Sequence, residues 1–237
     1  MALTNEKKIE LKKIGILSQK QEGYYVIRFL SKCGYFLADE MIAISNIATR
    51  YGNGEVSLTS RLTIEIPYIE EKDLDEVISV INKSNLRIGG TGNTVRAVVS
   101  CKGNVCVHGL IDTKILSEKI ESEFFAKELP GKFKIGVFGC VNSYGKAQSN
   151  DLSIMPIKSL NKEEVEFLIF LGGRLGRKTR LATPMKRKFK ENELMEVVEA
   201  VIEYYGENAN TKERFAEVID RIGIDTAQNS ITSKLKC

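Results

Sequence analysis

The chain has 237 residues, of which 43% are hydrophobic and 28% charged, and its formal net charge is +4. This composition is that of a globular protein with enough apolar residues for one large core or two smaller ones, and it excludes extensive disorder. The small net charge gives no indication of a nucleic-acid partner. Apolar runs fall well short of the roughly 20 residues of a membrane helix, and the N-terminal stretch MALTNEKKIELKKIG has no apolar signal segment. We therefore expect a cytoplasmic protein without a membrane partner.

The first ninety residues contain a strand and helix pattern that occurs twice. Residues 22–31 alternate as a strand does, and residues 35–51 carry apolar side chains at helical spacing before a glycine. Residues 55–69 are rich in β-branched side chains, and residues 70–85 again have one apolar helical face. The glycine-rich stretch RIGGTGN follows, and it predicts a boundary between a first domain at 1–90 and a second at 91–237.

The second domain mixes strands and helices. Its predicted strands are residues 94–101, 132–140, 151–156 and 165–173, and its predicted helices are residues 107–129, 192–209 and 212–224. The whole chain is therefore predicted to be an α/β (α+β) protein.

Five cysteines are an odd number in a chain without an export signal, so free thiols or metal ligands are expected rather than disulfides. They are Cys33, Cys101, Cys106, Cys140 and Cys237. Cys101 and Cys106 end one predicted strand and Cys140 ends another, so three thiolates can converge on one soft-metal site. The neighbouring Gly103 and Gly139 allow backbone amides to approach the sulfurs. The spacing alone leaves two other interpretations open: buried structural cysteines, and a zinc site that includes His108.

Several segments resemble, in order, one known family. VRAVVSCKGNVCVHGLIDT, LPGKFKIGVFGCVNSYGKAQSNDLSIM and FLIFLGGRLGRKTRLA are similar to the sirohaem and iron–sulfur domain of the sulfite and nitrite reductases. Upstream, GYYVIRFLSKCGYFLADEMIAISNIATRYGNGEVSLTSRLTIEIPYI resembles the ferredoxin-like half domain of that family, and the resemblance spans residues 22–224. It implies a ferredoxin-like half domain followed by a mixed α/β sirohaem and iron–sulfur domain. The implied activity is multi-electron reduction of sulfite or nitrite, with a [4Fe-4S] cluster and sirohaem as cofactors.

By this resemblance Cys101, Cys106 and Cys140 hold the cluster. The family's fourth cysteine, four residues after the third, is replaced here by Tyr144, and the first two cysteines are one residue closer than usual. Three consequences are open. The fourth iron takes the Tyr144 phenolate, solvent or another group; Tyr144 ligates the sirohaem iron; or one or both cofactors have been lost and Tyr144 is a packed aromatic residue.

Cationic side chains occur where the family binds its anions. Lys132 and Lys134 are two residues apart on a predicted strand, which places both on one face. They match the paired lysines at the family's substrate, and Arg28 and Arg96 match its substrate-facing arginines.

Other matches fall where the family binds sirohaem. The resemblance assigns Thr59, Arg61 and Arg174 to the carboxylates of sirohaem, which an arginine fork engages in pairs. Asn142 keeps the family's residue in the loop after Cys140 and is assigned to cofactor binding.

Partners and rival functions follow from the same comparison. The expected partners are the oxyanion and a separate electron donor such as ferredoxin or flavodoxin. A homodimer is also expected, because larger family members contain two copies of this unit. A cluster-only electron-transfer or assembly protein without sirohaem is the alternative. A nucleic-acid-binding module is a further rival, because residues 174–190 contain eight basic side chains and no acidic one.

Overall fold

The computed structural model describes residues 3–143, 146–159 and 164–235. The chain forms two compact units, Met1–Gly92 and Asn93–Cys237, each with its own apolar core. Within these described ranges, no helix is both long and apolar enough to cross a membrane. The division into a ferredoxin-like half domain at 1–90 and a sirohaem and iron–sulfur domain at 91–237 stays a prediction.

The first unit is an antiparallel sheet with helices packed on it. Its elements are α1 Asn5–Lys13, β1 Ile16–Ser18, β2 Tyr24–Leu30, α2 Ala38–Tyr51, β3 Ser57–Leu58, β4 Thr63–Glu70 and α3 Leu74–Lys83. The strand order is β1-β2-β4-β3, and all neighbours are antiparallel. Alternate residues of β2 and β4, such as Ile27 and Ile66, are fully buried in one cluster with Ile47 of α2 and Val77 of α3.

The strand predicted at residues 55–69 is interrupted in the structure. A tight turn separates β3 from β4, because Thr59 Oγ1 lies 2.6 Å from Thr63 Oγ1 and Leu62 has a φ of +58°. The elements α1 and β1 were not predicted from the sequence. The helix α1 buries only Leu11, so it lacks the apolar periodicity on which the prediction depends.

The second unit is a mixed sheet with helices. Its elements are β5 Val99–Ser100, α4 Thr113–Phe124, β6 Ile135–Val137, β7 Leu152–Lys158, β8 Val165–Leu171, β9 Thr183–Pro184, α5 Leu194–Asn208, α6 Phe215–Ile222 and α7 Ile224–Ser233. The strand order is β5-β6-β7-β8-β9, with β5, β6 and β7 mutually parallel and the remaining neighbours antiparallel. An aromatic cluster in its core joins Phe133 to Tyr205 and Phe215, with ring centroids 5.4 and 5.6 Å apart.

Two predicted helices of the second unit have different limits in the structure. The helix predicted at 107–129 begins only at Thr113, because the Asp112 carboxylate caps it by accepting from the backbone of Lys114 and Ile115 at 2.9 and 3.0 Å. The helix predicted at 212–224 is α6, and Gly223, with a φ of +94°, ends it before α7.

The core of the second unit yields a stability prediction. Phe215 is fully buried and contacts the rings of Phe133 and Tyr205. Replacing Phe215 with alanine is expected to lower the free energy of unfolding by about 3–5 kcal/mol, because it leaves a cavity among these rings. Urea titration followed by circular dichroism measures the change. In the control Leu181→Ala, the removed side chain is 64% exposed, and a change within about 0.5 kcal/mol is expected. Equal losses in the two variants would contradict the assignment of the core.

Candidate functional site

The three candidate cluster cysteines lie in two loops at the same edge of the sheet in the second unit. The strands β5 and β6 run parallel, with Ser100 opposite Val137. Cys101 follows β5 directly, Cys106 ends the short 3-10 turn in the same loop, and Cys140 lies beyond the end of β6. Because parallel strands end at the same edge of a sheet, their pairing brings the two loops together.

Close backbone contacts join these two loops. The Gly139 N–H donates to Cys101 Sγ across 3.1 Å, and the Leu110 N–H donates to the Gly139 carbonyl at 2.8 Å. A Cβ added to Gly109 would collide with the Gly103 carbonyl, so the loop closes only with glycine there. An N–H group directed at a cysteine sulfur stabilises thiolate charge, which is the environment that an iron–sulfur cluster requires.

The chemistry of the donor set, three thiols in two adjoining loops, fits an iron–sulfur cluster. Cys101, Cys106 and Cys140 are half-buried thiols, whereas Cys33 is buried in the first unit. In the described ranges, no group of three His, Cys, Asp or Glu side chains surrounds one ion position, and His108 is exposed. A four-iron cluster needs no such convergence, because each thiolate binds a different iron. Tyr144 and Cys237 lie outside the described residues, so the role of Tyr144 stays a prediction.

The lysines predicted for the substrate lie on one face with Arg96. The strand β6 begins only at Ile135, but Phe133 forms a parallel bridge with Val95 and both side chains are buried. Partners in a parallel bridge point to the same side of a sheet. Lys132, Lys134 and Arg96 therefore share the opposite face.

Two further arginines extend this positive charge. Burial lowers the pKa of Lys132, and the positive charges of Arg214, Arg96 and Arg174 lower it further. Arg174 pairs with Glu217 at 3.0 Å. The Nε atoms of Arg174 and Arg214 are buried without an acceptor among the residues that the structure describes. Buried guanidinium N–H groups need acceptors, so this region fits an anion or the carboxylates of sirohaem.

A buried ion pair in the same region was missed in the sequence. Asp151, immediately before β7, is fully buried, and Arg214, immediately before α6, donates to both of its carboxylate oxygens at 2.9 and 2.8 Å. Burial raises the pKa of Asp151, while the Arg214 charge and hydrogen bonds oppose that rise. An aspartate in front of an apolar strand is a weak signal of burial. No pattern in the sequence indicates that Asp151 pairs with Arg214, which lies sixty-three residues away.

In the first unit, Arg28 already has a carboxylate partner. It lies on β2 opposite Glu65 of β4, and its Nε and Nη2 atoms lie 2.7 and 2.6 Å from Glu65 Oε1. Arg28 Nη1 also donates to the Gly90 carbonyl at 3.4 Å. An oxyanion bound by Arg28 would therefore compete with Glu65 for the same guanidinium group.

The predicted sirohaem ligands other than Arg174 lie in loops. The Thr59 hydroxyl accepts from the Arg61 backbone N–H at 3.2 Å, so it is part of the turn before β4. Arg61 is half-buried, and Asn142 is exposed in the loop after Cys140. The structure thus groups Arg96, Lys132, Lys134 and Arg174 in the second unit, and it places Arg28, Thr59 and Arg61 in the first.

Acidic side chains of the same unit neutralise most of the basic segment 174–190. Among the described residues, six of its eight basic side chains form ion pairs, and the acidic partners are Glu217, Asp220, Asp225, Glu193 and Glu166. Cations that are already paired have less to gain from phosphates. This pairing argues against the nucleic-acid interpretation.

The fold and the site define a redox protein with a ferredoxin-like half domain and a thiolate cluster loop. Residues 91–237 match the family model described as the nitrite and sulphite reductase 4Fe-4S domain. Residues 17–84 match the nitrite/sulfite reductase ferredoxin-like half domain. The chain belongs to the sulfite and nitrite reductase family, which confirms the family and the fold class predicted from the sequence. Membership of this family implies a [4Fe-4S] cluster and sirohaem as cofactors.

Individual relatives are similar at low identity. An uncharacterised protein of Methanocaldococcus jannaschii is 26% identical, over 94% of this chain and 96% of that protein. The coenzyme F420-dependent sulfite reductase of the same organism is also 26% identical, over 88% of this chain, but this chain spans only 42% of its length. The solved structure of the Mycobacterium tuberculosis NirA protein superposes with a TM-score of 0.85 at 16% identity, covering 98% of this chain and 47% of that one. The last comparison supports the fold alone.

The packing of Gly109 generates a prediction about the cluster loop. Gly109→Ala is expected to reduce the iron and sulfide bound per chain by more than half after anaerobic reconstitution, because the added methyl group displaces Gly103 and the cysteine loop. Colorimetric iron and sulfide assays measure the loss, and thermal unfolding checks that the fold is retained. In the control Gly206→Ala, on α5, the added Cβ comes no closer than 3.8 Å to another atom, so full iron binding is expected. Wild-type iron content in Gly109→Ala would refute this role of the loop.

Proposed function

We propose that this chain reduces a small oxyanion, sulfite or nitrite, by multi-electron transfer. The observation that carries the proposal is the grouping of Arg96, Lys132, Lys134 and Arg174 beside the strand β6 that leads to Cys140. Sulfite and nitrite are anions, and a partly desolvated site for them needs several cations. From Lys134 to Cys140 the chain can span at most about 20 Å, so one strand links the anion site to the cluster loop.

The roles of the side chains follow from their chemistry. When bound, the cluster and sirohaem supply the electrons and the iron centre for the reduction. Cys101, Cys106 and Cys140 would hold the cluster through their thiolates, and Arg174 would donate hydrogen bonds to carboxylates of the tetrapyrrole. Thr59, Arg61 and Asn142 are proposed as further cofactor ligands on the strength of the family resemblance.

The lysines have two proposed tasks. Lys132 and Lys134, with Arg96, would neutralise the bound oxyanion, which is electrostatic stabilisation by groups already in place. Arg28 is proposed for the same task on the strength of the family resemblance alone. The ammonium groups of the lysines would also donate protons to the oxygen that leaves as water. Because the pKa of Lys132 is lowered, this lysine gives up its proton more readily than a lysine with the ordinary pKa does.

Electron supply and assembly are further parts of the proposal. A separate reduced donor, such as ferredoxin or flavodoxin, is proposed to deliver the electrons. A homodimer is proposed because larger family members contain two copies of this unit. Both partners stay predictions.

Cofactor analysis and one variant test the function. Anaerobically purified protein is expected to contain iron, sulfide and a tetrapyrrole in the same sample and to oxidise a reduced viologen dye when sulfite or nitrite is added.

Lys134→Ala is expected to keep the cofactors but to weaken anion-induced changes in the visible spectrum about tenfold or more, the loss of one charge-assisted hydrogen bond. The exposed Lys119, on α4, provides the control Lys119→Ala. A colourless, iron-free protein after reconstitution would overturn the proposal, and unchanged anion binding in Lys134→Ala would remove this lysine from the site.

The lowered pKa of Lys132 gives a pH prediction. Burial and the neighbouring arginines favour the neutral amine, so the positive charge of Lys132 disappears at a lower pH than the ordinary lysine value of 10.5. Nitrite affinity should therefore fall with rising pH earlier than that value implies, and Lys132→Arg should keep its affinity to a higher pH because arginine stays charged. Spectral titration with nitrite, a monoanion from pH 7 to 10, measures the two profiles. Coincident profiles would refute the role of Lys132.

A further inference from the structure

Arg214 is a buried arginine of the second unit with one donor that no described residue accepts. It lies immediately before α6, and its side chain is only 13% exposed. Its Nη2 atom donates to both oxygens of the buried Asp151, at 2.9 and 2.8 Å. Its Nε atom is buried and has no acceptor among the residues that the structure describes. Because buried N–H groups are rarely left without an acceptor, a group from outside the described chain is expected beside this atom.

A second buried arginine of the same unit shows the contrasting case, an Nε atom that is paired within the chain. The side chain of Arg180 is 18% exposed. Its Nε atom donates to Asp220 at 2.8 Å, and its Nη1 atom donates to the carbonyls of Leu171 and Gly172 at 3.2 and 2.9 Å. The fold can therefore satisfy a guanidinium group of similar burial from its own residues, and it does not do so for the Nε atom of Arg214.

Arg174 shares this feature and is held by the same helical turn. Its Nε atom is also buried without an acceptor in the described part of the chain. Glu217, in the first turn of α6, joins the two arginines. Its Oε2 atom accepts from the backbone N–H of Arg214 at 3.0 Å, and its Oε1 atom lies 3.0 Å from Arg174 Nη1. One carboxylate thus fixes the backbone of Arg214 and the guanidinium group of Arg174.

The charge of Arg214 acts on a lysine of the proposed anion site, and Asp151 does not cancel it there. Of the charges that lower or raise the pKa of Lys132, the positive charge of Arg214 has the largest effect, and the negative charge of Asp151 has a smaller one. The ion pair is therefore positive on balance at Lys132. An anion beside Arg214 gains from this potential, because burial reduces the screening of charges by water.

We propose that Arg214 is a further anion-binding residue, whose Nε N–H donates to an oxygen atom of a bound carboxylate or oxyanion. Asp151 holds the guanidinium group in place through its Nη2 atom. Sirohaem carboxylates and the substrate oxyanion offer the same kind of acceptor oxygen, and the arginine fork suits both. The inference rests on the proposed function, which supplies both anions, and it assigns a role to a residue outside the proposed catalytic and cofactor-binding set.

Arg214→Lys removes the Nε donor but keeps a cation for Asp151, so it is the first variant to test. It is expected to weaken anion binding about tenfold or more, the loss of one charge-assisted hydrogen bond. Uroporphyrin, a metal-free tetrapyrrole rich in carboxylates, is titrated by its fluorescence into the full chain before reconstitution. Nitrite is titrated into the reconstituted holoprotein by the visible spectrum. A loss with uroporphyrin assigns Arg214 to the carboxylates, and a loss with nitrite assigns it to the oxyanion. Wild-type affinity for both probes in a folded Arg214→Lys overturns the proposal.

A charge-neutral double variant separates a ligand role from a merely structural pair. Asp151→Asn is the reference, because asparagine still accepts from the backbone N–H of Lys134, as Asp151 does at 2.9 Å. Adding Arg214→Gln to it leaves no buried ion without a partner at this place. The double variant is expected to bind the anion about tenfold or more weakly than Asp151→Asn. If Arg214 serves only to neutralise Asp151, the two variants bind both probes equally, and the proposal is overturned.

Arg221→Lys is the matched control at the other end of α6. The Nε atom of Arg221 donates to Glu213 at 2.9 Å, and its side chain is 45% exposed, so wild-type affinity for both probes is expected. Equal losses in Arg221→Lys and Arg214→Lys would contradict the proposal, and thermal unfolding checks that each variant is folded.

The two probes also keep this inference distinguishable from the proposed function. If the reconstituted wild type holds no iron or tetrapyrrole, the proposed function fails. The uroporphyrin titration still decides the role of Arg214 in that case, because it needs no resident cofactor, and equal affinity in the wild type and Arg214→Lys overturns it. A wild type that binds neither probe overturns both.

Discussion

The parallel pairing of β5, β6 and β7 is the constraint on which the rest of the site depends. At one end of β6 it places the loops of Cys101 and Cys140 side by side, joined by the hydrogen bond from Gly139 to the Cys101 sulfur. At the other end it places Asp151 against the backbone of Lys134. A parallel ladder aligns its strands in one direction. The cysteine loops and the lysines are therefore held at opposite ends of the three-residue strand β6.

The cationic face formed by Arg96, Lys132, Lys134 and Arg174 is the arrangement from which the anion site is proposed. Its positive side chains lower the pKa of Lys132, and buried N–H groups of Arg174 and Arg214 have no acceptor in the described part of the chain. Like charges in a partly desolvated region disfavour one another, and Asp151 and Glu217 offset part of that repulsion by pairing with Arg214 and Arg174. Natural proteins keep such arrangements where function requires them, and in this family an oxyanion and a carboxylate-rich tetrapyrrole are the groups that supply the negative charge.

Not every positive residue is part of such an arrangement. The basic segment 174–190 is conspicuous in the sequence, yet helices α6 and α7 and neighbouring residues supply carboxylates to most of it. Arg28 likewise lies opposite Glu65. Such ion pairs balance positive charge within the fold, so a run of basic residues in the sequence does not by itself indicate a ligand.

The sequence by itself determined the family, the fold class, most strands and helices, and the cysteine loop, because these depend on local periodicity and on short ordered motifs. It also indicated that Lys132 and Lys134 share a face, since alternation along an extended chain is a local property. Only the tertiary structure decided that Asp151 pairs with Arg214, that Arg28 pairs with Glu65, and that α4 begins at Thr113 rather than at residue 107. The two ion pairs join residues far apart in the chain, so no pattern within a short window contains them. The start of α4 depends on the local cap by Asp112, a signal that the apolar spacing from residue 107 obscured.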